Sequence, residues 1–116
     1  MNLIRLKMVD KKELTFNNLN IKNTIELNRC NRISTRINTK INKVLIDCCN
    51  DVSITLKNLI NGIEINKSSV VLNLCNGFKI PILYCYKSKI HINIFEKDLK
   101  NLNVMNEDCE ILIHSF

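Results

Sequence analysis

The sequence contains no tryptophan and no glutamine, only two glycines and one proline, and aromatic residues make up just 5% of it. Two glycines cannot build a glycine-rich phosphate-binding loop, and no nucleophile elbow occurs, so the enzyme classes that depend on these motifs are not predicted. A run of about eighteen apolar residues is also missing, so no membrane span is predicted. Charged residues before Leu14 leave no apolar stretch typical of a secretory signal peptide.

The few residues that could carry metal or redox chemistry are not arranged for it. The six cysteines form no Cys-x-x-Cys pair, and without a signal peptide we expect them to be reduced, buried or half-buried thiols. His91 and His114 have no cysteine or carboxylate at metal-ligand spacing, so they are interpreted as surface histidines. The sequence therefore predicts no metal site, no cofactor and no catalytic centre, which favours a binding module over an enzyme.

What the chain does contain is aliphatic residues at a constant interval. Ile33, Val52, Val71 and Ile90 are spaced by nineteen residues. Further columns are Ile25, Val44, Ile63 and Ile82; Leu27, Ile46, Ile65 and Tyr84; Phe16, Thr35 and Ile54; and Ile37, Leu56, Cys75 and Ile94. A period of this length indicates stacked coils, since one coil cannot bury its apolar face alone. The predicted fold is all-β, a parallel β-helix with about 19 residues per coil, and an antiparallel sandwich is the alternative.

Alternation within the coils predicts which side chains face the core. Apolar and polar residues alternate with a period of two in 31–37 and in 52–57, as in half-buried strands. The nineteen-residue register places Asn73 inward. It also predicts an outward set of aliphatic residues, which comprises Val70, Leu72, Leu74 and Leu83. We interpret residues 1–13 as a lead-in segment and residues 14–116 as the β-helix domain.

Positive charge is concentrated in the first half of the chain. The net charge is +6, with eleven basic and five acidic residues in 1–58 but six of each in 59–116. An acidic partner is therefore expected, and a protein is favoured over nucleic acid because stacking aromatics are lacking near the basic residues. Charge and outward register select the candidate contact residues Arg32, Arg36, Lys43, Lys57, Lys87 and Lys89.

Several segments, in order, resemble the C-terminal domain of cyclase-associated proteins. They are Cys30–Cys49, Leu59–Ser68 with its Glu-Ile pair, Asn76–Ile82, Lys87–His91 and Cys109–His114. The single proline, Pro81, falls on the proline of the family's Gly-Lys-Val-Pro-x-Ile segment. The resemblance covers roughly residues 14–114, and it depends on the order of these features rather than on one motif.

The resemblance implies a right-handed β-helix that binds monomeric actin, preferentially in its ADP-bound form, and promotes nucleotide exchange on it. It also implies a cytoplasmic, cytoskeleton-associated protein. Family members form homodimers by exchanging a strand that follows the last core strand. Because Phe116 precedes that segment, the resemblance supports a homodimer less strongly than it supports actin binding.

Two other functions stay open at this point. The related tubulin-cofactor-C domain shares the coils but stimulates GTP hydrolysis through a Gln-x-Arg motif, and this chain has no glutamine. A purely structural interaction module would bind neither actin nor a GTPase.

Overall fold

The computed structural model describes residues 2–116 and builds them from eleven β-strands and one short 3₁₀ helix. The strands are β1 (Asn2–Lys7), β2 (Asp10–Phe16), β3 (Asn23–Asn28), β4 (Asn31–Ile37), β5 (Ile41–Asp47), β6 (Asn50–Asn66), β7 (Ser69–Lys79), β8 (Leu83–Tyr86), β9 (Lys89–Ile94), β10 (Val104–Glu107) and β11 (Glu110–Ser115). The 3₁₀ helix (Glu96–Asn101) lies between β9 and β10.

All strand pairs in the described residues are parallel, and they form two series. The first sheet runs β1, β3, β5, the second half of β6, β8 and β10. The second sheet runs β2, β4, the first half of β6, β7, β9 and β11. The chain makes about six turns, each giving one strand to each sheet. The predicted parallel β-helix is confirmed, and the antiparallel sandwich is excluded.

Columns of aliphatic side chains fill the space between the two sheets. In the first sheet Ile25, Val44 and Ile63 stack directly and are at most 1% exposed. In the second sheet Ile33 stacks on Val52 in the same way. Full burial of each such side chain contributes about 1.5–3 kcal/mol, so the stacked columns are the main source of stability.

The columns shift by one residue after β6, and here the predicted register is wrong. Val52 pairs with Val70 instead of Val71, and Ile63 pairs with Leu83 instead of Ile82. In the same way, Leu74 and Cys85 replace the predicted Cys75 and Tyr84 in the core, and Tyr84 is 47% exposed. A separate error of register lies in the first coil, where Phe16, predicted in the column of Thr35, pairs with Ile37, and Leu14 pairs with Thr35.

In the second sheet, the loss of a bulge residue explains the shift. In the first three coils an extra residue with positive φ (Lys11, Arg32 or Asp51) enters the second-sheet strand. The fourth coil lacks this residue, because Ser69 is followed at once by the inward Val70. The step from Val52 is therefore eighteen residues, and the next step, to Ile90, is twenty.

The shift reverses the faces predicted for residues 70–74 and for Leu83. The aliphatic residues predicted to point outward (Val70, Leu72, Leu74 and Leu83) are all at most 5% exposed and belong to the core. Asn73 is instead on the outer face of the second sheet. Its amide donates hydrogen bonds to Ser53 Oγ at 3.2 Å and to Thr55 Oγ1 at 3.4 Å, and it accepts one from Asn93 Nδ2 at 2.8 Å.

Strands begin well before residue 14. β1 pairs in register with β3 from Asn2 to Lys7, and β2 pairs with β4. Residues 2–13 of the predicted lead-in therefore contribute to the first coil, whereas Met1 lies outside the described residues.

Candidate functional site: the sheet corner

In every coil the chain passes from the first sheet to the second through the same tight turn, which we call the sheet corner. One residue of each turn has a positive φ: Met8, Arg29, Cys48, Lys67, Lys87 and Asp108. None of these is glycine, although a positive φ costs an L-residue about 1–2 kcal/mol. The N–H of each of the first five donates to a carbonyl of the next coil at 2.9–3.0 Å, which offsets this cost. Because the turn recurs in each coil, it displays one side chain per coil, spaced by about 4.8 Å.

A ladder of small polar side chains fixes the corner from inside. In the second to fifth coils the residue after the positive-φ position is a buried cysteine or serine, and in the first three of these coils the backbone N–H of this residue donates to the side chain of its counterpart in the next coil. Cys30 N–H reaches Cys49 Sγ at 3.3 Å, Cys49 N–H reaches Ser68 Oγ at 2.9 Å, and Ser68 N–H reaches Ser88 Oγ at 3.0 Å. These bonds hold the outward residues of neighbouring coils at constant spacing.

A shallow groove of about 750 Å³ runs along the corner. Its middle is lined by Lys67, Lys87 and Lys89, and its last-coil end by Asp108 and Glu110. All three lysines are exposed, and no ion pair in residues 2–116 involves them. The ammonium of Lys87 lies 5.3 Å from the centroid of the Tyr86 ring, where the ring attracts a cation. The groove thus offers three unpaired positive charges on a rigid backbone.

The six residues selected from the sequence do not form one patch. Lys87 and Lys89 meet in the groove, and Arg32 occupies the bulge of the second coil, beyond the corner. Arg36 lies on the outer face of the second sheet, in register with Thr55, and Lys57 is exposed near the middle of β6. Lys43 lies on the outer face of the first sheet.

Two of these six already have acidic partners. Arg32 forms a two-pronged ion pair with Asp10, at 2.9 Å from Nε and 2.6 Å from Nη2. The hydrogen bond from Arg32 lowers the pKa of Asp10, and the same bond raises the pKa of Arg32. Lys43 Nζ lies 2.8 Å from Glu64 Oε2. A partner would have to displace these carboxylates, whereas the groove lysines are free.

Lys67 is the groove residue that the sequence reasoning missed. It precedes Ser68 as Lys87 precedes Ser88, twenty residues later. The repeated Lys-Ser pair is the signal that could have identified it, because both lysines occupy the positive-φ position of the corner.

The thiols differ in one respect from expectation. All six cysteines are free, and Cys30, Cys49 and Cys85 are buried, but Cys48 is exposed at the corner. Within residues 2–116 no group of three or more His, Cys, Asp or Glu side chains is arranged to hold a metal ion. None of the helical residues in this part of the chain could form a membrane-spanning segment.

The chain is similar to known proteins in both sequence and fold. A family model described as adenylate cyclase associated (CAP) C terminal matches residues 4–111. Among solved structures, the cyclase-associated protein from Cryptosporidium parvum superimposes with a TM-score of 0.85 and 18% sequence identity, over 98% of this chain and 71% of that chain. No curated protein matches the sequence. At 18% identity the structural similarity supports the fold alone. The evidence for common family membership is the match to the family model.

Proposed function

Because the chain belongs to the family of adenylate cyclase associated protein C-terminal domains, we propose that it is a non-enzymatic module that binds monomeric actin. The observation that carries the proposal is the family match across residues 4–111, nearly the whole chain. The resemblance of its segments to cyclase-associated proteins points to the same partner.

The proposed activity is promotion of nucleotide exchange, with preference for ADP-bound actin. Such an effect requires no catalytic side chain in this protein. A binding partner shifts the state of actin by as much as its affinity differs between the two states, and the coupling is reciprocal. The module therefore promotes ADP release to the extent that it binds nucleotide-free actin more tightly than ADP-bound actin, and a preference for ADP-bound over ATP-bound actin lets it leave the monomer once ATP has bound.

We assign the main actin contact to the corner groove. Its three lysines, Lys67, Lys87 and Lys89, are exposed and unpaired, and they sit on the rigid corner ladder. Such charges attract an acidic protein surface, speed association and make it sensitive to salt. The remaining candidates Arg32, Arg36, Lys43 and Lys57 form a secondary set, because two of them are already paired with carboxylates.

The decisive experiment measures release of a fluorescent nucleotide from ADP-actin with and without this protein. Wild-type protein should accelerate release and bind ADP-actin in a salt-dependent manner. If it neither binds ADP-actin nor alters the release rate, the proposal is wrong. Hydrolysis of GTP by tubulin, measured in parallel, tests the GTPase-activating alternative.

Charge-reversal variants locate the contact. The triple variant Lys67→Glu, Lys87→Glu, Lys89→Glu should weaken binding far more than the double variant Arg32→Glu, Arg36→Glu. The matched control reverses the exposed lysines Lys79, Lys97 and Lys100, which lie outside the groove and change the net charge equally. If the control weakens binding as much as the groove variant, net charge and not the groove determines affinity.

The family assignment also leads us to propose a cytoplasmic location with the actin cytoskeleton. Homodimer formation stays a prediction that a measurement of mass in solution can test.

A further inference from the structure

The only two histidines of the sequence, twenty-three positions apart, meet on the outer face of the second sheet. His91 is on β9 and His114 is on β11, and these two strands are paired neighbours. Their rings are stacked with centroids 5.6 Å apart and an interplanar angle of 16°. Both side chains are exposed, and neither has a hydrogen-bond partner among residues 2–116. Their nitrogen lone pairs are thus available to a ligand.

The separation of the rings suits a shared metal ion. A zinc–imidazole bond of about 2.0–2.1 Å and a tetrahedral angle place the centroids of two imidazoles on one ion roughly 5 Å apart. The observed 5.6 Å is close to this distance without any shift of the backbone. Because the stacked ring planes are nearly parallel, both rings must rotate before one nitrogen of each points to a common ion, and the exposure of both rings leaves room for this rotation.

The surroundings do not oppose a cation. Glu110, which lies in register with Lys89, places a carboxylate on the same pair of strands as the two histidines. Asn93 lies in register with His114, and its Nδ2 donates to Asn73, which leaves its carbonyl oxygen as an acceptor. That oxygen can orient the His114 ring by accepting its other N–H, the usual outer contact of a metal-bound histidine.

We propose that His91 and His114 form a two-histidine site for a divalent transition-metal ion such as Ni²⁺, Zn²⁺ or Cu²⁺, with water completing the coordination. Imidazole is a preferred ligand of these ions. The bound ion links β9 to β11 and so stabilises the packing of the last coil against the coil before it. The site is independent of actin binding, since neither histidine lines the corner groove.

The test is a calorimetric titration of Ni²⁺ into untagged, reduced protein, combined with NMR of the imidazole nitrogens in the presence of Zn²⁺, which is diamagnetic. We expect one ion per chain, shifts of both imidazoles, and a rise in the thermal unfolding midpoint. His91→Gln and His114→Gln should each weaken binding roughly tenfold or more, because either one removes the chelate. The double variant should be little weaker than either single one.

Thiols also bind such ions, so Cys48→Ser, which removes the exposed cysteine, is the matched control and should bind Ni²⁺ as the wild type does. The proposal is overturned if Ni²⁺ does not bind, if binding is lost with Cys48→Ser, or if each single histidine variant keeps the wild-type affinity.

Discussion

At the residue scale, Gly62 is a position where the backbone leaves no room for a side chain. Its φ is +104°, and a Cβ built there would lie 2.4 Å from the carbonyl oxygen of Ile82. That same oxygen accepts the hydrogen bond from the N–H of Ile63 at 3.0 Å, so it cannot withdraw without breaking the ladder. Glycine is therefore required here by both conformation and space.

Gly62→Ala should lower the free energy of unfolding by roughly 2–4 kcal/mol, since a strained backbone costs about 1–3 kcal/mol and the clash adds to it. Gly77→Ala is the matched control, because Gly77 also has a positive φ (+72°) but no atom lies within 4 Å of its added Cβ. It should cost about 1 kcal/mol. Urea unfolding measures the loss of unfolding free energy for both variants. Equal losses would show that the close contact with Ile82 does not destabilise Gly62→Ala.

The buried thiols make stability depend on alkaline pH. Burial raises the pKa of Cys49 to about 11 and that of Cys85 to about 12, with the Cys109 thiol adding to the latter. The thiol of an unfolded chain has a pKa of about 8.5, so above this pH the unfolded chain releases protons that the folded protein retains. The free energy of unfolding should therefore be unaffected by these thiols below about pH 8 and should fall as the pH rises toward about 11.

Urea midpoints at about pH 8 and about pH 10.5 check this prediction. Cys49→Ser retains a hydrogen-bond acceptor in the corner ladder but removes one titrating group, so it should lose less stability between the two pH values than the wild type. A wild-type midpoint that stays constant or rises with pH would contradict the shift.

At the element scale, the corner ladder joins the coils through single side chains. Ser68 Oγ accepts from Cys49 N–H at 2.9 Å and donates to the carbonyl of Asn66 at 2.8 Å. Ser68→Ala leaves the buried Cys49 N–H without a partner and should cost about 1–3 kcal/mol. Ser68→Cys should cost less, because a thiol already accepts from Cys30 N–H in the coil before. Urea unfolding measures the stability of both variants. If Ser68→Ala and Ser68→Cys are equally stable, the hydrogen bond from Cys49 N–H to side chain 68 does not stabilise the fold.

The strands also show which parts of the register can be predicted from the sequence. The columns through Val44 and Ile46 follow from aliphatic residues at constant spacing, and the structure has them where the pattern places them as far as Ile63 and Ile65. The one-residue shift after β6 could not be predicted from the spacing of aliphatic residues. Dropping the bulge residue before Val70 changes the spacing by one, and Val70-Val71 offers an aliphatic side chain in either register.

The site was less accessible to sequence reasoning than the fold. Charge and outward register selected Lys87 and Lys89, but neither shows which lysines meet across coils or which are already paired. Which lysines meet depends on the sheet corner, where lysine, arginine and cysteine occupy positive-φ positions that glycine usually occupies. The contact between His91 and His114 depends on strand pairing and leaves no local motif.

At the scale of the whole molecule, stability should vary along the stack, because each coil contacts only its neighbours. Ile54 and Ile113 belong to one column, which continues through Leu72 and Ile92. Ile54 has a coil on each side and is fully buried, whereas Ile113 in the last described coil is 47% exposed.

Ile54→Ala should therefore destabilise the protein by about 3–4 kcal/mol, the usual cost of a cavity in a packed core. The same substitution at Ile113 should cost about 1 kcal/mol or less, since its side chain is half in water already. Urea unfolding gives the two energies, and amide hydrogen exchange should show β11 opening more readily than the first half of β6. Equal losses at the two positions, or uniform exchange from β6 to β11, would mean that the stack unfolds as one unit with its last coil as tightly held as its centre.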